Sequence, residues 1–105
     1  MAIKVVISRE FKPETIKNAY QALMELRSLA TLQVGYVSGE TMVSADTPNK
    51  LVVISSWTTR NRWDDWHNNA KRLEYAAKME NLLQTPETTE VFFVGDKIPE
   101  WVDMA

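Results

Sequence analysis

Hydrophobic positions along this chain switch repeatedly between alternate spacing and helical spacing, and the switches divide it into elements. Ile3 to Ile7 is a β-branched run ending at Ser8 and Arg9, which predicts a buried first strand. Pro13 suits the first turn of a helix, where its missing N–H would be unpaired anyway. Beyond it Ile16, Ala19, Tyr20, Leu23, Leu26 and Ala30 recur at helical spacing and form one apolar stripe, with fraying expected near Ser28 to Thr31. From Leu32 to Met42 the period returns to two. Val34, Tyr36 and Ser38 fall on one face, while Gly35, Val37 and Gly39 give a sparse opposite face with room for a backbone or a ligand. Ala45, Asp46, Thr47, Pro48 and Asn49 are turn chemistry, and Leu51 to Trp57 then reads as a strand paired in a hairpin with the one before.

Thr58 is the expected N-cap of the next helix, on which Trp63, Trp66, Ala70 and Leu73 fall roughly on one face. Tyr75, Ala76, Met79, Leu82 and Leu83 continue a helical pattern. Asn68 and Asn69 predict a break between the two stretches, because asparagine competes for backbone hydrogen bonds. Pro86 ends the helical region, Val91 to Val94 form a last strand, and Gly95 stops it. The order β-α-β-β-α-β predicts an α+β, ferredoxin-like fold, with the helices on one face of an antiparallel sheet. The strands are apolar on both faces, so the face without helices needs a cover, and the expectation is a homodimer packed sheet against sheet. One domain over residues 1–105 is expected, with its core in 3–95 and a tail, 96–105, that carries Trp101 and lies over a neighbouring surface.

Composition narrows the chemistry. Of 105 residues 45% are hydrophobic and 25% charged, and the net charge of −2 with scattered Lys and Arg argues against a nucleic-acid binder. No apolar run approaches the roughly 18 residues of a membrane span, and the N-terminus lacks a signal peptide's pattern, so a cytoplasmic protein is expected. With no cysteine, thiol nucleophiles and cysteine-ligated metals are excluded, and one histidine cannot make a histidine cluster within a chain. The three glycines, Gly35, Gly39 and Gly95, are too far apart for a phosphate-binding or dinucleotide motif. The acidic residues are dispersed and make no catalytic pair.

The unusual stretch lies between Trp57 and Arg72. Trp57, Trp63 and Trp66 fall there, followed directly by His67, the only histidine. Together with GYVSGE at 35–40, SSW ending at Trp57, Arg72 and LLQTPETTEVFF ending at Phe93, this stretch resembles the antibiotic biosynthesis monooxygenase family of the dimeric α+β barrel superfamily. The resemblance covers Ile3 to about Gly95. It implies a scaffold shared by cofactor-free quinone-forming oxygenases, haem-degrading enzymes and members of no known role. Members of the haem-degrading branch pair a first-strand asparagine with a helix tryptophan and a haem-ligating histidine. Here the matching positions hold Ser8, Trp66, and Tyr75 or Ala76. Haem degradation of that type is therefore not expected, although tyrosine can ligate haem iron.

Three functions remain open. The first is a cofactor-independent monooxygenase acting on a small aromatic or quinol-like metabolite. Trp66 and Tyr36 would hold the ring, His67 would act as general base, and Tyr20 and Ser8 would steady the developing quinone oxygen. The second is a haem-binding protein using Tyr75 and Trp66. The third is a non-catalytic dimeric module that binds a small apolar molecule. Of Ser8 and Arg9 only one can face the helices. By resemblance that one is Ser8, which leaves Arg9 to an ion pair; Arg72 is expected to be a solvated residue or a dimer contact, and Trp57 and Trp63 structural.

Overall fold

Strict alternation along the first and third strands sets the architecture seen in a computed structural model of the chain, which describes residues 1–95. The expectation for Trp101 lies outside those residues. The elements are β1 (Ile3–Glu10), α1 (Ile16–Ala30), β2 (Tyr36–Val43), β3 (Lys50–Trp57), α2 (Arg60–His67), α3 (Ala70–Glu80) and β4 (Thr88–Phe93). The four strands form one open antiparallel sheet in the order β2-β3-β1-β4, so the fold is α+β and ferredoxin-like. In β1 the residues Ile3, Val5, Ile7 and Arg9 are buried under the helices, and in β3 so are Leu51, Val53, Ser55 and Trp57. Strand pairing locks the two sets together, with Ile3 opposite Trp57 and Arg9 opposite Leu51. Ala19, Leu23 and Leu26 of α1 and Met79 of α3 close over this face.

Each helix boundary has a local cause. A short 3-10 turn, Pro13–Thr15, leads into α1 with proline where no N–H is needed. Thr59, one residue later than expected, caps α2 by accepting a hydrogen bond from the Arg62 N–H. Asn68 ends α2 and the Asn69 side chain caps α3 through the Lys71 N–H at 2.9 Å, so the asparagine pair is the expected break. Leu82 and Leu83 fall beyond α3, where Leu83 bridges Phe11 and the Leu82 carbonyl accepts from the Lys12 N–H at 2.8 Å.

The second strand differs from expectation in where it starts and in which side chains face inward. Residues 31–35 form a turn after α1, with Gly35 at φ +92°, so β2 starts only at Tyr36. An irregularity between Tyr36 and Ser38 shifts the register and puts Tyr36, Gly39 and Thr41 on the helix-facing side. The sheet's other face carries Val6, Met42, Val52, Ile54 and Phe92, with Met42 and Phe92 exposed.

Candidate functional site

A cavity lies between the sheet and the helices where β1, β2 and β3 meet α2. Its floor is Ile7 and Arg9 of β1, Val53, Ser55 and Trp57 of β3, and Tyr36 and Gly39 of β2. Leu23, Leu26, Arg27 and Ala30 of α1 form one wall, and Trp63 and Trp66 of α2 with Arg72 of α3 form the other. Its free space is about 40 Å3 in this arrangement, enough for a few water molecules. Trp66 is also part of a surface groove of about 210 Å3 that includes Arg62, Asp65 and Asn69. Trp66 therefore lines both the cavity and the adjoining groove.

The aromatic walls are locked by edge contacts. Tyr36 meets Trp57 at 5.4 Å and 85°, and Trp57 meets Trp63 at 5.7 Å and 63°. The Trp57 Nε1–H donates to Ser55 Oγ at 3.0 Å, which satisfies the buried indole and leaves the serine hydroxyl proton for another acceptor. Gly39 has a steric task here, because a Cβ at that position would sit 2.6 Å from the Tyr36 hydroxyl oxygen.

Charge in the cavity runs against the charge of the whole chain. Three guanidinium groups line it, from Arg9, Arg27 and Arg72, with no aspartate, glutamate or histidine among its described lining residues. Arg9 is 4% exposed and donates from Nε to Glu87 Oε2 at 2.7 Å. Arg27 donates to Thr41 Oγ1 at 2.7 Å and to the Gly39 carbonyl at 2.9 Å, both neutral acceptors. Arg72 is 3% exposed, donates once at 3.3 Å to the His67 carbonyl and lies 5.4 Å over the Trp63 ring. Burial lowers the Arg72 pKa below the usual arginine value; the Glu87 charge opposes that shift and Arg9 adds to it. An arginine nonetheless stays protonated at neutral pH.

The structure brings together only part of the expected set. Trp66 and Tyr36 line the cavity. Ser8 does not: it pairs with Val52 and Thr88 on the sheet's other face, because its parity is opposite to that of Ile3, Val5, Ile7 and Arg9. Tyr20 is 44% exposed and outside the cavity. His67 is exposed and stacks on the outer side of the wall, 5.4 Å from Trp63. Desolvation lowers its pKa from the usual 6.5, with the nearby Arg72 charge acting the same way and Asp64 and Glu87 opposing. The shift favours the neutral imidazole. Arg9 makes an ion pair, with Glu87, but from a buried place in the cavity wall; Arg72 is buried in that wall and not solvated, and Trp57 and Trp63 line the cavity besides filling the core.

Haem does not fit these residues. The Tyr75 hydroxyl donates to Glu25 Oε2 at 3.0 Å between α1 and α3, away from the cavity that Trp66 lines. That hydrogen bond raises the Tyr75 pKa, the reverse of what a phenolate ligand needs. Among the described residues no cluster of His, Cys, Asp and Glu could hold a metal ion, and none of the helices is long and apolar enough to cross a membrane.

The family sequence model for antibiotic biosynthesis monooxygenase matches residues 2–78. No curated protein matches the chain significantly by sequence. Solved structures share the fold at low identity. The Rv0793 protein of Mycobacterium tuberculosis is 20% identical with a TM-score of 0.84, over 94% of this chain and all (100%) of that one. SnoaB of Streptomyces nogalater, a cofactor-independent oxygenase, is 16% identical with a TM-score of 0.81, over 94% and 98% of the two chains. Protein SO0527 of Shewanella oneidensis is 20% identical with a TM-score of 0.80, over 87% and 88%.

Proposed function

The chain belongs to the antibiotic biosynthesis monooxygenase family, and from that membership we propose that it is a cofactor-independent monooxygenase oxidising a small aromatic, quinol-like metabolite. The observation that carries this reading is the cavity itself, where indole and phenol walls surround cationic side chains. Aromatic walls hold a flat ring, and guanidinium groups stabilise the oxyanion that makes the ring electron-rich. SnoaB, with the same fold, performs oxygenation without a cofactor, which supports the same economy here.

The chemistry follows from these parts. Trp66 and Tyr36 hold the ring. The phenolic proton leaves to water, because no carboxylate or imidazole lines the cavity among the described residues. The ionised ring gives one electron to dioxygen, and the aryloxyl radical and superoxide combine at a ring carbon that bears hydrogen. Protonation gives a hydroperoxide, which loses water to leave a quinone carbonyl. One oxygen atom stays on the product and the other leaves as water; the substrate supplies all the electrons. The Ser55 hydroxyl, in place of Ser8 and Tyr20, is a neutral donor available to the new carbonyl. His67 keeps a supporting place behind Trp63.

The functional unit in this reading is a homodimer. Val6, Met42, Val52, Ile54 and Phe92 share a sheet face opposite the one that the described helices cover, and a second copy packing there closes the two open sheets into a barrel. Oxygen-electrode assays with hydroquinones and hydroxynaphthoquinols test the activity. Enzyme-dependent uptake above autoxidation is the expected result, and its absence across the panel removes the proposal.

A further inference from the structure

The cavity's arginines hold more hydrogen-bonding capacity than the protein uses. Arg72 has five N–H donors, of which a single one reaches an acceptor among the described residues, the His67 carbonyl. Arg9 engages Glu87 through Nε alone, leaving both of its Nη groups without a described acceptor. Yet no fully enclosed side-chain nitrogen or oxygen lacks a partner among the described residues. The spare nitrogens of these two side chains, each under 5% exposed, therefore keep some accessible surface, and both residues line the cavity.

The balance of charge is equally one-sided. Groups facing this space are Arg9 from β1, Tyr36 from β2, Arg27 from α1 and Arg72 from α3, with Ser55 from β3. Glu87, ahead of β4, pairs directly with Arg9 and acts on Arg72 only from beyond ion-pair distance, and its side chain is 31% exposed, so its charge is partly screened by water. His67, behind Trp63, is outside the cavity. Arg72 is a buried cation without a carboxylate in contact, which is costly, and an anion entering this space supplies the missing charge.

Taking this cavity as the substrate site, as proposed above, we infer that it selects aromatic anions: a planar ring carrying an ionised oxygen. That oxygen accepts from the free N–H groups of Arg72 and Arg9, and the ring lies against Trp63 and Trp66. Arg27 adds long-range attraction from the opposite wall. Phenolate and carboxylate present the same chemistry to these donors. Because the cavity is small as it stands, the ring takes its space by displacing Trp66 toward the adjoining groove.

The test uses three probes with the full-length protein under anaerobic conditions, so that binding is read without turnover. They are 4-nitrophenol, whose yellow anion and colourless acid differ in absorbance, 4-nitrobenzoate, and the neutral ether 4-nitroanisole. At a pH where free 4-nitrophenol is mostly the acid, the protein is expected to draw it into the yellow anion. 4-Nitroanisole is expected to bind far more weakly. Displacement of the yellow band by 4-nitrobenzoate shows that carboxylates share the site; its absence with the band present restricts the site to phenolates. Arg72→Met should weaken anion binding about tenfold or more, as loss of a charge-assisted hydrogen bond does. Arg27→Met, at a less buried position, should weaken it less. No yellow band, equal affinity for the ether, or an unchanged band in Arg72→Met overturns the inference. Oxygen uptake without anion preference removes this inference and leaves the oxygenase reading standing; anion preference without oxygen uptake does the reverse.

Discussion

Replacing Arg72 with methionine should leave the protein as stable as before, or more stable. Arg72 is 3% exposed and has no described carboxylate within ion-pair distance, the partly exposed Glu87 acting on it only from farther off. Its compensation is a long hydrogen bond of 3.3 Å and a ring contact of 5.4 Å to Trp63. Those two interactions offer about 0.5–1.5 and 0.5–2 kcal/mol respectively. Against them stands the cost of keeping a guanidinium out of water, which amounts to several kcal/mol even after relaxation. Methionine keeps most of the apolar stem, fills irregular space and brings no charge. The difference is a gain of about 1 kcal/mol, within the range seen when buried ionic groups are exchanged for apolar ones. In a domain of this size that is a rise of roughly 4–8 °C in Tm. Urea and thermal unfolding of both proteins at one fixed concentration provide the measurement, because a dimer's stability depends on concentration. A loss above about 1 kcal/mol would refute the reasoning, since it would make Arg72 a structural clamp and not a retained binding group.

Trp57 and Trp66 should separate under the same truncation. Trp57→Ala removes a 1% exposed indole bonded to Ser55 and should cost about 3–5 kcal/mol, whereas Trp66→Ala, between a cavity and a groove, should cost about 1–3 kcal/mol; equal losses in urea unfolding would argue against a gating place for Trp66. His67 should titrate below 6.5 by NMR, and its midpoint should rise in Arg72→Met while burial still holds it down; an unchanged midpoint removes Arg72 as a cause. Because its folded-state pKa is the lower one, the unfolded chain takes up the proton first. His67's contribution to stability is thus complete above pH 6.5 and is lost as pH falls toward the folded midpoint; His67→Gln should flatten that slope. Ile54→Lys, on the uncovered sheet face, should turn a dimer into a folded monomer by light scattering and circular dichroism, and a wild-type monomer at micromolar concentration would end the dimer proposal.

The fold was legible because its signals are local. The β-branched runs Ile3–Ile7 and Leu51–Trp57, the proline at 13, the asparagine pair and the helical stripe of α1 each correspond to an observed element. β2 was less legible, since a register shift reverses the inference from parity, and nothing in GYVSGE announces where the extra residue falls. Tyr36 and Gly39 consequently share a face that simple alternation denies them.

The charged half of the site was written in the sequence in two ways, and both are overridden easily. Arg9 follows Ile3, Val5 and Ile7 in strict alternation, so parity alone sends it inward and Ser8 outward. Family resemblance pointed to Ser8, and it misled because a family position does not guarantee a pocket residue when the neighbouring side chain holds the inward parity. Arg72 lies seven residues before Met79, which places the two on one helical face, and both are buried. Counting from Trp66 across the Asn68–Asn69 break hides this, since the helical period is interrupted there. A polar residue on an apolar stripe carries information because burial costs it so much more than its neighbours. Among the described residues Arg9 and Arg72 are the charged side chains that bear that cost in one place, and in the proposed reading a single anionic ligand would relieve both.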